Sequence, residues 1–159
     1  MAGAVVAEPG PRLVARLIDT LIVGLPVALV ARAALPEAAY GARPADNVTA
    51  IGVAGLYVVY DALLLAIWGR TVGKWLTGVR VVTAGERNGS VGLSRTALRA
   101  AVFALPIAAR PIPVLSVLAG IFWVVNVGMV LEPTRRQALH DRIAATTVVR
   151  TDVDYSDVD

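Results

Sequence analysis

Three stretches of mostly apolar residues run through this chain, and each is long enough to cross a lipid bilayer as a helix. Crossing about 30 Å of hydrocarbon takes roughly 20 residues at a rise of about 1.5 Å each. The first stretch runs from Leu13 to Leu35 and the second from Asn47 to Trp68, with Asp61 its only charge. The third runs from Pro111 to Leu131 and carries no charge. With no water to satisfy the backbone, spans of this kind fold as helices, and Pro26 is expected to bend the first without ending it. Asp19 interrupts the first run, which argues against a cleaved signal segment.

A fourth stretch, Leu93 to Ala109, has a basic first half and an apolar part, Ala100 to Ala109, that is short for a span. The distribution of Lys and Arg decides how to read it. The linker after the second span holds Arg70, Lys74, Arg80, Arg87, Arg95 and Arg99, and the C-terminal part holds Arg135, Arg136, Arg142 and Arg150. The linker between the first two spans has only Arg32 and Arg43, offset by Glu37 and Asp46. The positive-inside rule puts both basic segments in the cytoplasm. Three crossings would separate them. Residues 94–109 are therefore expected to enter as a short helix and form a hairpin with the last span, leaving both termini cytoplasmic.

Composition agrees with a membrane protein of a single domain. Hydrophobic residues make up 57% of the 159 and charged residues 17%, against about 25% charged in soluble domains. The absence of cysteine excludes disulfides and thiolate sites, and the single histidine, His140, excludes a zinc site built on several imidazoles. Neither an enzymatic activity nor a cofactor, a metal site or nucleic-acid binding is expected. Asp152, Asp154, Asp157 and Asp159 mark residues 151–159 as a solvated, disordered acidic tail.

Short β-branched runs, Val79–Val82 and Thr146–Val149, read as strands of a small cytoplasmic sheet. Gly85–Gly89 reads as a turn leading to a further strand near Ser90–Val91. Gly69-x-x-x-Gly73-Lys74 lacks the spacing and the Ser/Thr of a phosphate loop. It reads instead as a tight turn back, with Arg70 and Lys74 meeting lipid headgroups and Trp68 and Trp75 anchoring the interface. Ser116, Gly120 and Gly128 suit close helix contact, within the chain or between copies, and Asn126 would point into that contact.

The charges inside the spans are the candidate site. Asp19 and Asp61 each lie about 9–10 Å from the cytoplasmic end of antiparallel helices, so the two carboxylates can approach each other. Arg12, Arg16 and Asp19, spaced i, i+4 and i+7, share one helix face. Such charges face a partner or water, because each costs about 2.5–3.5 kcal/mol at a helix centre. One reading is structural: Arg16 or Arg12 neutralises Asp19, and Asp61 joins Tyr57 or Tyr60. The other is an ion or proton site. His140-Asp141 reads as a helix cap, or as a salt bridge from Asp141 to Arg12 that docks the C-terminal segment.

The sequence resembles the RDD family of bacterial integral membrane proteins. The resemblance rests on Arg12 through Asp19, on the run from Gly69 through Val82, on the basic start Arg95–Arg99 and on Leu139-His140-Asp141 followed by Ala144 to Val149. It covers residues 11–150, with Thr146 standing where the family has glycine. By this resemblance Arg12, Asp19 and Asp141 are the Arg and two Asp of the family's name, and Arg16 and Asp61 join the same charge network. The resemblance implies an all-α multi-pass protein of the bacterial inner membrane. It further implies transport, with cation/proton movement through an oligomer, or an accessory role in a larger membrane complex such as a lipid importer.

Overall fold

The computed structural model describes residues 5–34, 43–86, 90–110, 112–132, 134 and 136–151. Six helices and two strands follow in order: α1 (Pro9–Ala34), α2 (Arg43–Trp68), α3 (Val72–Leu76), β1 (Val79–Thr83), α4 (Leu93–Ala109), α5 (Pro113–Leu131), α6 (Leu139–Ile143) and β2 (Thr146–Arg150). Helices α1, α2 and α5 are long and apolar enough to span a membrane. The acidic tail from Asp152, Glu37, Arg87, Arg135 and the second half of the Gly85–Gly89 turn lie outside the described residues.

The long helices bury little of their apolar surface. Leu17, Leu25 and Leu29 on α1 and Val114, Val117 and Val124 on α5 are all more than half exposed. A solvated surface does not carry that much contiguous apolar area, so these faces belong to lipid. The buried stripe of α2 runs through Ala54, Tyr57, Asp61 and Leu65, at helical spacing. Helix α1 is unbroken through Pro26. Helix α4 packs principally against α2, and only secondarily against α5.

Strands β1 and β2 pair antiparallel, with Val81 opposite Val148. The N-terminal segment lies along the other edge of β2, where the Ala7 amide donates to the Val148 carbonyl at 2.9 Å. Val79, Val81, Val91, Val148 and Ala7 close around Leu65 at the end of α2. The expected strand near Ser90–Val91 does not form. Val91 is buried in that apolar cluster instead, and β1 takes its partner from the far end of the chain. The basic linker and the C-terminal segment thus meet at one end of the bundle.

The segment between α2 and β1 turns on three glycines. Gly69 and Gly78, at φ +68° and +66°, adopt the left-handed conformation that ends α2 and leads into β1. Gly73 serves a different need: a Cβ there would stand 2.2 Å from the Ala15 carbonyl oxygen, so only glycine lets α3 lie against α1. Gly120 and Gly128 differ, since a Cβ at either meets no atom within 4 Å. Among the described residues they mediate no helix packing.

Gly73→Ala is expected to push α3 off α1 and lower stability by about 1–3 kcal/mol, read as a lower melting temperature in detergent. Gly120→Ala, the control, is expected to leave stability unchanged or slightly raised. Equal melting curves for wild type and Gly73→Ala would contradict the contact.

Candidate functional site

At the sheet end of the bundle, α1, α2, α3, α4 and α6 converge on a buried cluster of charge. Its anions are Asp19, Asp61 and Asp141, and its cations are Arg12, Arg16, Lys74 and Arg99. Asp19 and Asp61 are fully buried. All five residues singled out in the sequence belong to it. Lys74 and Arg99 do as well, although the sequence reading put Lys74 at lipid headgroups and counted Arg99 among the cytoplasmic charges at the basic start of the short helix.

Lys74 is the junction. Thr71 caps α3, and Gly73 brings its backbone against α1, which carries the Lys74 side chain inward. Its Nζ lies 3.6 Å from Asp19 Oδ2, 3.3 Å from Asp61 Oδ1 and 3.1 Å from Thr71 Oγ1. Asp19 receives further hydrogen bonds from the Thr71 hydroxyl at 2.6 Å, the Gly73 amide at 2.8 Å and the Tyr60 hydroxyl at 2.8 Å. Neither Arg12 nor Arg16 neutralises it; Lys74 does. Burial lowers the Lys74 ammonium to about pKa 8, helped by Arg16 and Arg99 and opposed by Asp61 and Asp19.

Asp61 meets three cations. Arg16 Nη1 and Arg99 Nη1 each stand 3.2 Å from it, beside Lys74. The Arg16 guanidinium also donates to the Tyr57 hydroxyl and lies 3.9 Å from the centroid of the Phe103 ring. Thus Tyr57 serves Arg16 and Tyr60 serves Asp19, where either had been expected beside Asp61.

Arg99 continues the network to Asp141, donating from Nε to Oδ1 at 2.8 Å. Asp141 Oδ2 accepts from the Ala138 amide at 3.3 Å, so this carboxylate both caps α6 and pairs with α4. Burial alone would raise the Asp141 carboxyl, but Arg99, with Arg12, holds it below the usual carboxylate range. The expected Arg12–Asp141 salt bridge is absent. Arg12 instead donates from Nη2 to the Val148 carbonyl at 2.7 Å and from Nη1 to the Arg136 carbonyl. Arg12 does dock the C-terminal segment, through backbone oxygens.

His140 is buried against the same cations. Its Nε2 lies 3.2 Å from Arg16 Nη2 and 3.4 Å from Arg99 Nη2. Guanidinium nitrogens only donate, so Nε2 accepts, while Nδ1 lies 3.2 Å from the Asn126 amide nitrogen. Burial, with Arg99 and Arg16, pushes the imidazole well below its ordinary pKa against the pull of Asp141 and Asp61, and it is neutral. Asn126 accepts from the Leu139 amide at 2.9 Å and so joins α5 to α6 within the chain.

Arg99→Met would leave Asp141 without its cation, and breaking a buried pair costs about 3–5 kcal/mol. A large drop in melting temperature is expected, whereas exposed Arg95→Met on the same helix should stay within about 0.5 kcal/mol of wild type. Similar losses for the two would contradict the network.

No curated protein and no solved structure matches the chain. The profile of the RDD family matches residues 6–145, which takes in every member of the charge cluster. Three apolar helices of spanning length accompany that match. The chain is a membrane-type protein that belongs to the RDD family.

Proposed function

We propose that this protein exchanges a small monovalent cation for a proton across the bacterial inner membrane, at the oxygens that surround Lys74. The observation that carries this reading is the placement of Nζ among Asp19 Oδ2, Asp61 Oδ1 and Thr71 Oγ1, at 3.1–3.6 Å. Hard cations take oxygen ligands, and the oxygens that now face an ammonium are the kind that suit one. Ammonium and metal ion compete for a single position.

The exchange is balanced in charge. Lys74 gives up one proton, its neutral amine leaves the carboxylates, and one cation takes its place; the reverse step returns the proton. Arg16 and Arg99 remain on Asp61 throughout and hold the site together, while Asp19 keeps three neutral donors and loses only its cation. A pKa near 8 places this step within the physiological range. Arg12 and Asp141 set the charge balance at the cytoplasmic mouth. One chain forms too small a bundle for a closed pathway, so several copies make up the working unit.

The test is flux in proteoliposomes, with each variant first checked by gel filtration. Wild type is expected to exchange, with cation affinity rising about tenfold per pH unit up to pH 8 and levelling off above it. Lys74→Arg, which keeps its proton, and Asp19→Asn are both expected to abolish exchange. Lys74→Gln is expected to bind cation without the pH dependence. Exchange retained in Lys74→Arg would contradict the mechanism. No flux from folded wild type would transfer the reading to an accessory subunit of a larger membrane complex.

A further inference from the structure

The same end of the bundle has a second feature, whose apolar walls cation exchange does not use. A cavity of about 210 Å³ opens between α1 and α5, two helices that scarcely touch each other. Its walls are apolar, with Leu13 on α1 and Trp123, Val127 and Val130 on α5, and its floor is the charge cluster, where Arg12, Arg16, Lys74 and Arg99 outnumber the one described lining carboxylate, Asp141. Leu13 and Val127 are about 40% exposed, so the cavity faces the lipid side of the bundle.

Arg12 is the unusual member. It is 7% exposed, no described carboxylate lies within ion-pair distance of it, and its Nε has no hydrogen-bond partner. Its other bonds go to two backbone carbonyls, which carry no charge. Among the described residues the cluster holds four cations and three carboxylates, so one positive charge is left over. A buried, uncompensated cation beside an apolar, lipid-facing cavity calls for an anion with an apolar body. The cavity is smaller than the roughly 300 Å³ and upward of pockets that enclose whole small molecules. It therefore takes a head end while the chain stays in the bilayer.

We propose that the cleft between α1 and α5 binds the anionic headgroup of an acidic lipid, with Arg12 as its counter-charge and the acyl chain lying along Val127 and Trp123. This goes beyond cation exchange and is tested apart from it, since Asp19 does not line the cavity. The occupant follows from charge complementarity. A zwitterionic headgroup would bring its own cation and leave the cluster unbalanced, whereas an acidic one neutralises it. Acidic lipids gather at the cytoplasmic leaflet, where the basic end of this bundle is expected to sit.

Trp123 supplies the readout. In a Trp68→Phe/Trp75→Phe background it is the remaining indole, and lipids brominated along the acyl chain quench it on contact. The full-length protein would be reconstituted in phosphatidylcholine vesicles doped with brominated phosphatidylglycerol, or with brominated phosphatidylcholine. At equal doping phosphatidylglycerol is expected to quench at least threefold more. The excess should disappear in Arg12→Gln, and also in Val127→Phe, which fills the cleft and leaves Arg12 in place. Asp19→Asn, which stops exchange, should keep the excess, so the two readings fail separately. Equal quenching by the two lipids would overturn the proposal, as would an excess that survives Val127→Phe. Loss of the excess on adding millimolar inorganic phosphate would overturn the lipid assignment in favour of a free anion.

Discussion

Two ionised carboxylates from neighbouring helices are not stably buried side by side unless a cation stands between them. Lys74 fills that place between Asp19 and Asp61, and much of the architecture follows from delivering it there. Helix α2 must end sharply, which Gly69 allows. A five-residue helix must lie against α1 without a side chain in the way, which Gly73 allows. The chain must then leave toward the sheet, which Gly78 allows. Each glycine is fixed by the position of one ammonium group.

The same network closes the ends of the chain on the middle. Arg99 carries the charge from Asp61 on α2 to Asp141 on α6, and Arg12 ties α1 to the backbone of β2 and the segment before α6. Pairing of β1 with β2, and of β2 with residues 5–7, completes the closure through backbone hydrogen bonds. Lipid-facing helices gain little from burial against one another, so polar contacts take a larger share in fixing their arrangement than they do in a soluble core. A buried charge network is costly to assemble and costly to break. That asymmetry selects one arrangement of α1, α2, α4 and α6.

The long helices were readable because uninterrupted apolar runs have few alternatives. Asp19 and Asp61 were readable because charge in such a run is conspicuous. Lys74 and Arg99 were not, because a basic residue in a linker or at the start of a short helix looks solvated when its neighbours in space are unknown. One signal was present: Arg99 lies between Thr96 and Phe103 at helical spacing, on what proves to be the buried face of α4. The Arg12–Asp141 pairing failed for a related reason: proximity at one end of the bundle was inferred correctly, but Arg99 has the better geometry for the carboxylate. Local turn logic led to a strand at Ser90–Val91, whereas burial of Val91 against Leu65 was the stronger demand.

The central claim is that a cation and the Lys74 proton occupy one position in turn. The most direct measurement is proton release when a sodium, potassium or lithium salt is added to the detergent-purified protein in weak buffer near pH 8, followed with a pH-sensitive dye. About half a proton per bound cation is expected from wild type at this pH, rising toward one as the pH is lowered, and none from Lys74→Gln, in line with linkage between the two equilibria. Cation binding without proton release from wild type, or equal release from Lys74→Gln, would contradict the account.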